Sequence, residues 1–277
     1  MSDRKRLAHE SRPALDPHRA HCGRIHDVLL AAGKDAYMVD REAGQELIAQ
    51  ARAIQVAARA ARLFLLRAVQ YLAAHRGVSQ IVELGSGYPC PPNLHEVART
   101  AIPTARTLYV DNDPVVAAHG NALLADEQTD FAYADLTDTD TIVRAIAKTM
   151  TPCRPLAICL GFVAEFLADP RSVVTAVAAA APAGSYVVLS HIGADIDTGA
   201  VERAAQIYRR YDITFWPRTR EEIAEILADC ELIEPGLVPP DQWRPDPDLD
   251  RRHVACLQWK PLPATETCCY AAVGRLR

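Results

Sequence analysis

What the 277-residue chain lacks narrows its function first. It has no long basic run and its net charge is −5, so a nucleic-acid backbone is not an expected partner. No uninterrupted apolar run approaches the roughly 20 residues of a membrane span, so no membrane partner is expected either. The opening Met1-Ser2-Asp3-Arg4-Lys5-Arg6 has no apolar stretch behind it and does not read as a secretory signal. The eight cysteines contain no C-x-x-C and no Cys/His spacing of a zinc site. Scattered, and in part embedded in apolar runs as Cys159 and Cys268-Cys269 are, they read as reduced packing residues of a cytoplasmic protein. No metal constellation is visible, so activity is expected to survive a chelator. Internal repeats and low-complexity tracts are missing too.

What is present is enough apolar material for a sizeable core: 49% of residues are hydrophobic and 23% charged. Residues 1–20 are polar, with Pro13 and Pro17, and read as a loosely held arm. From His21 to about Ala74 the chain carries no strand signal. It is rich in Ala, Arg, Leu and Gln, with an apolar face at three-and-four spacing through Leu63, Leu66 and Val69. Residues 1–75 therefore read as an arm and a helical cap. Residues 76–277 read as a second unit in which strands alternate with helices, the signature of a parallel sheet covered on both faces. Strands are expected at 80–84, 107–111, 130–134, 155–161 and 185–191, with a C-terminal pair at 231–238 and 268–275. Helices are expected at 198–211 and 218–229, the latter opened by a Thr219–Glu222 capping box. The Pro/Asp-rich stretch 239–247 reads as loop.

The chemistry gathers at the ends of the first strands. Gln80-Ile81-Val82-Glu83-Leu84 runs into Gly85-Ser86-Gly87, where glycines let backbone approach a ligand and take positive φ. Asn93, with Glu96 three residues on, starts the next helix. The second strand ends at Asp111, 24 residues after Gly87, where a carboxylate can accept both hydroxyls of a ribose. A dinucleotide motif would need its third glycine at Cys90, and Pro89, Pro91 and Pro92 remove amides that a pyrophosphate uses. S-adenosylmethionine (SAM) carries no phosphate and has no such need. Asp113-Pro114 is a helix start. Asp135, at the end of the third strand, is placed either to accept the adenine amine or to cap the helix from Thr137.

These segments carry a resemblance. Residues 24–30 with Gly33-Lys34-Asp35 and Asp40-Arg41, then Glu83-Leu84-Gly85-Ser86-Gly87, Tyr109-Val110-Asp111-Asn112-Asp113-Pro114, Ala134-Asp135-Leu136, Leu189-Ser190-His191, and Glu234-Pro235-Gly236 with Trp243-Arg244-Pro245 resemble the actinobacterial S-adenosyl methyltransferase family, long labelled a domain of unknown function. The resemblance covers nearly the whole chain after residue 20. It implies a Rossmann-like class I methyltransferase: a seven-stranded, mostly parallel sheet with the last strand antiparallel, preceded by a helical cap. The implied cofactor is SAM, with Glu83, Gly85, Ser86, Gly87, Asp111, Asn112, Asp135 and Leu136 as its binding residues. Arg24 and Lys34 either reach its carboxylate or form surface ion pairs. Three places depart from the family pattern: His26 and Val28 stand for tyrosines, Glu165 stands for histidine before Phe166, and Phe162 fills a position usually aliphatic or small. All three fall where the acceptor would bind.

The expected activity is methyl transfer to a small aromatic natural product. The best specific acceptor is the indole C3 of a tryptophan-containing cyclic dipeptide, closing a pyrroloindoline ring. O- or N-methylation of another secondary metabolite is the alternative. An NAD-type oxidoreductase and a non-catalytic SAM-binding regulator are the rivals outside that class. General-base candidates are His26, Tyr37, Glu165 and His191, each balanced by a packing or surface role. Phe162 and Trp216 are the candidate walls for the acceptor. The chain leaves room for a homodimer.

Overall fold

Five apolar runs, each bounded by turn residues, form the parallel part of one sheet: β1 (Gln80–Leu84), β2 (Arg106–Asp111), β3 (Thr129–Tyr133), β4 (Ala157–Leu160) and β5 (Tyr186–Ile192). Strand β7 (Cys269–Leu276) lies antiparallel between β5 and the short β6 (Cys230–Leu232), so the sheet order is β3-β2-β1-β4-β5-β7-β6. The computed structural model describes residues 16–31, 33, 36–124, 126–256 and 267–277. The expected arm lies outside the described residues up to residue 15.

Alternate residues on the strands feed two cores, as the two-residue pleat requires. Val82, Leu108, Ile158, Leu160, Val187 and Leu189 face one side, against helices α6 (Thr139–Thr149), α7 (Pro170–Ala179) and α9 (Arg220–Ile226). Ile81, Ala157, Cys159, Val188 and Val273 face the other, against helix α3 (Arg52–Arg76). The strand order reverses between β1 and β4. In open parallel sheets the crevice at the carboxyl ends of the strands flanking that reversal takes the ligand.

The cap is built from α1 (Cys22–Ala31), α2 (Met38–Gln50) and the first half of α3, joined by α8 (Thr198–Arg210). Helix α3 changes neighbours midway. Ile54, Ala57, Ala58 and Ala61 pack into the cap core, whereas Phe64, Leu65, Val69 and Leu72 pack on the sheet. Gly77, at φ +66, ends the helix in the left-handed conformation that suits glycine.

The expected elements are present; the strand expected at 155–161 and the helix expected at 218–229 are shorter, at Ala157–Leu160 and Arg220–Ile226, and two stretches near the C-terminus depart further. The strand expected at 231–238 stops at Leu232, with one more amide bond from Ile233 to Val273 O: Pro235 has no amide to pair, Gly236 turns at φ +87, and the next pairing with β7 is a Val238–Ala271 bridge. The stretch expected as loop holds a 3-10 turn at Pro240–Gln242 and runs into a helix, α10 (Pro247–Cys256). That helix is anchored by Asp250, whose two carboxylate oxygens lie 2.7 and 2.8 Å from Nη1 of the buried Arg67. Tertiary pairing of this kind overrides weak local propensity.

Candidate active site

Four of the parallel strands deliver their carboxyl ends to one cleft of about 300 Å³. After β1, Gly85 and Gly87 adopt φ +68 and +62. The amides of Gly85 and Ser86 both donate to Val110 O at the end of β2, at 2.8 and 3.1 Å, which folds the loop over the sheet edge. A Cβ on Gly85 would lie 2.3 Å from Val163 Cγ2, while a Cβ on Gly87 would meet nothing within 4 Å. The loop therefore packs on one side and leaves open space on the other.

Asp111 ends β2 and is buried. Its Oδ2 accepts from the Gly87 amide at 2.8 Å and its Oδ1 from the Asp113 amide at 2.9 Å. Burial raises its pKa, and the charge of His21 and the two amides work against that rise. Each oxygen keeps a lone pair for a hydroxyl. Asn112 beside it donates to Asp135 Oδ2 at 2.9 Å, and Asp135 Oδ1 accepts from the Thr137 amide and hydroxyl at 2.8 and 2.6 Å. Burial pushes Asp135 up, but those hydrogen bonds outweigh it and hold the carboxyl below its ordinary range. The helix cap that competed for Asp135 falls to Asp138, which accepts from the Thr141 amide at the start of α6. Asp113 caps α5 (Pro114–Leu123), as its pairing with Pro114 implies.

On the β4 side the wall turns apolar. Phe162 takes φ +54, a left-handed conformation costly for a bulky residue, and its amide donates to Ser190 Oγ at 3.1 Å. Its ring stacks on His26, centroids 4.9 Å apart and planes 25° from parallel. Behind it stand Phe166, Tyr208 and Phe215, with centroids 4.9 to 5.7 Å apart. Burial, aided by the charge of Arg62, pushes the His26 imidazole down to about 3, so it is neutral at physiological pH. Its Nδ1 has no hydrogen-bond partner among the described residues. The same is true of Ser86 Oγ, Tyr88 Oη and Arg62 Nε, all from residues that line this cleft. Buried polar atoms are normally paired, so four orphans around one cleft mark a place where a polar ligand belongs.

Several expected site residues lie elsewhere. Arg24 is buried and does not line the cleft: Nε donates to Asp40 at 2.8 Å, Nη1 to Asp113 at 2.8 Å and Nη2 to Arg19 O. It ties α1 and α2 to α5, away from the cleft lining. Lys34 is outside the described residues. Tyr37 does not line the cleft; its amide donates to Asp40 at 3.0 Å to start α2, and its ring stacks under the Arg24 guanidinium. His191 is fully buried, with Nδ1 donating to Ile192 O at 2.8 Å and Nε2 accepting from Arg218 at 3.0 Å. Burial and Arg218 push it down to about 4 against the lift from Ile192. With both ring nitrogens occupied it is a packing residue. Trp216 is 45% exposed and does not line the cleft, whereas its neighbour Phe215 packs behind the cleft residue Phe166. Glu165 is wholly buried under the 3-10 turn Ala164–Phe166 but does not line the cleft; burial raises it to about 8, so it is protonated at neutral pH.

The cleft also recruits residues that sequence reasoning passed over. His21 reaches Asn112 Oδ1 at 3.3 Å and brings α1 to the ends of β2 and β3. Tyr88 follows the glycine loop directly. Arg62 was one arginine among several in an Ala/Arg-rich helix and had nothing in sequence to distinguish it. Among the described residues, no group of three His, Cys, Asp or Glu side chains is placed to hold a metal ion. No described helix is long and apolar enough to cross a membrane.

The residues present fit SAM better than a dinucleotide. The glycine loop leaves a cradle open at Gly87, and carboxylates stand at the ends of β2 and β3. The amides a pyrophosphate would use are already taken: Cys90 N by Asn93 Oδ1 at 3.2 Å and Asn93 N by Glu96 Oε2 at 2.6 Å. A sheet of this order with this cleft defines a class I methyltransferase. The family model described as S-adenosyl methyltransferase matches residues 8–277, and the chain belongs to that family. It is a SAM-dependent methyltransferase. A DUF574 family protein from Streptomyces avermitilis is 32% identical, covering 95% of this chain and 99% of that one at TM-score 0.85. A protein from Thermobifida fusca described as a methyltransferase is 34% identical, covering 98% and 100% at TM-score 0.83. The plantazolicin methyltransferase BpumL, solved with a triazolic desmethylPZN analog and S-adenosylhomocysteine (SAH), shares the fold at 12% identity and TM-score 0.53, covering 92% and 96%. No match is found among functionally curated proteins.

Proposed function

We propose that this methyltransferase acts on a small, neutral acceptor with a flat aromatic ring, and that the specific acceptor is the indole C3 of a tryptophan-containing cyclic dipeptide. The observation that carries the reading is the stacked His26–Phe162 pair, a flat wall beside the glycine loop with further aromatic rings behind it. Aromatic rings favour offset or edge contacts with one another, so such a wall suits a planar ring and offers a charged group nothing to pair with.

Bound in the cleft, SAM supplies a methyl group on a positively charged sulfur. In this reading Asp111 takes the ribose hydroxyls, Asp135 the adenine amine with Leu136 against the ring, and Asn112 borders the ribose. Gly85, Ser86 and Gly87 line the path between sugar and sulfur. Phe162 and His26 fix the acceptor ring. Holding the reacting atoms near 3–3.5 Å and aligned is worth roughly 7–11 kcal/mol of barrier. The apolar wall keeps water from the reacting carbon. In this reading His26 receives the proton at Nδ1, which has no hydrogen-bond partner among the described residues. Its low basicity suits an acceptor that is nucleophilic without prior deprotonation, as an indole carbon is, and that sheds its proton only as the new ring closes.

The test is incubation with SAM and a panel of tryptophan cyclic dipeptides, phenols and amines, read by mass spectrometry and absorbance. A gain of one methyl group with loss of indole absorbance supports C3 attack. Methylation confined to phenols or amines transfers the assignment to O- or N-methylation. No product from any aromatic acceptor overturns the proposal.

A further inference from the structure

Where α3 passes from cap core to sheet core it presents Arg62 to the cleft. The side chain is only 8% exposed. Its Nη2 donates to Cys90 O and Pro92 O, both at 2.8 Å, so two carbonyls of the loop before α4 (Leu94–Ala101) hold the guanidinium in place. Its Nη1 lies 3.4 Å from Glu83 Oε1, and its Nε has no partner among the described residues. Five N–H groups are available on a guanidinium, and this one has a loose ion pair and spare donors. Burial holds the Glu83 carboxyl up at about 7 against the pull of Arg62, so the arginine's charge is incompletely answered near neutral pH. A buried cation in that condition calls for a second anion.

The strand order says which anion. Along β3-β2-β1-β4, Asp135 and Asp111 stand at the first two strand ends and Glu83 with Arg62 at the third. Neighbouring strands lie about 4.8 Å apart. With adenine and ribose at the first two, the amino-acid end of the cofactor runs to β1. We infer that Arg62 receives the carboxylate of the cofactor's amino-acid end, with Glu83 beside it receiving the ammonium. The inference rests on the SAM assignment above and gives the amino-acid end a holder supplied by the cap-spanning helix rather than by the sheet.

The experiment compares SAH with its decarboxylated analogue, which keeps sulfur, sugar, base and ammonium, by calorimetric binding to the parent chain, Arg62→Gln and Arg62→Lys. The parent is expected to bind SAH about ten- to a hundred-fold tighter than the analogue, the worth of a charge-assisted hydrogen bond. Arg62→Gln is expected to bind the two alike, and Arg62→Lys to recover part of the preference. Should Arg62→Gln fail to fold on its ligand-free melting curve, Arg62→Lys decides: it must shrink the preference without losing the analogue. Equal weakening of both ligands in the variants reduces Arg62 to a loop tie and overturns the inference. So does a parent chain that does not distinguish the two ligands. A parent chain that binds neither ligand overturns the cofactor assignment itself.

Discussion

The two ends of the cleft are built on opposite principles. At the β2–β3 end, His21, Asn112 and Asp135 form a hydrogen-bonded rail beside Asp111, and the carboxylates are positioned by backbone amides or short side chains. At the β4 end, Phe162, His26 and Phe166 offer shape, with little hydrogen bonding and an unpartnered imidazole nitrogen. The first end suits a ligand of fixed chemistry, whose hydroxyls and amine never change. The second suits a ligand selected by outline. The departures from the family pattern at His26, Phe162 and Glu165 fall on or beside this second end, and none falls on the rail.

Four measurements break or sharpen that contrast. The largest effect is expected where the cap is pinned to the rail's footing: Arg24→Ala strands the buried carboxylates of Asp40 and Asp113, and loss of one member of a buried ion pair costs about 3–5 kcal/mol. Urea unfolding should show it, and an unchanged midpoint would refute the strut role. Next is Asp111→Ala. Losing two charge-assisted hydrogen bonds of roughly 1.5–3 kcal/mol each should weaken SAH binding by about a hundred-fold or more, while retained affinity would remove the ribose assignment. Phe162→Ala should act only on the other end, lowering kcat/KM for the aromatic acceptor about ten-fold, the scale of one stacking contact, and leaving SAH affinity within about two-fold. Equal losses at both ends would mean the halves are not separable.

The smallest effect is a pH dependence. Glu83 must be ionised to attract an ammonium, and its carboxyl sits near 7 because burial outweighs the lowering by Arg62. SAH affinity should therefore be fully present above that value and fall as pH drops through it, by about ten-fold between pH 8 and pH 6. Glu83→Gln should flatten the profile at the weaker level. A profile rising toward acid would exclude this role.

The rail was legible in the sequence because each part is local. A buried strand ending in an acid, then glycine or Asx-Pro, sets its own geometry within a few residues, and the boundaries of β1 and β2 and the caps at Asn93, Asp113 and Thr219 follow from such signals. Residues whose role depends on distant partners were not legible. Arg24 read as a partner of the cofactor carboxylate or a surface ion pair because Asp40 and Asp113 lie 16 and 89 positions away. His191 read as facing the ligand because it ends a strand, yet Arg218 closes over it from another segment. Arg62 and Arg67 share one helix and one composition, but the first meets the cleft and the second meets Asp250. Helix α10 sits in a run of Pro and Asp whose local preference is for turn, and long-range pairing through Asp250 outvotes it.

The dual allegiance of α3 has a further outcome for the cap. A 25-residue rod, some 37 Å from end to end, is seated at one end among the cap helices and at the other on the sheet. A beam so seated at both ends ties the position of the cap to that of the sheet. Helices α1 and α2 follow it, because they share its apolar core and take hydrogen bonds from its Gln55 and Arg59 at Leu29 O and from Arg203 of α8 at Gln50 O.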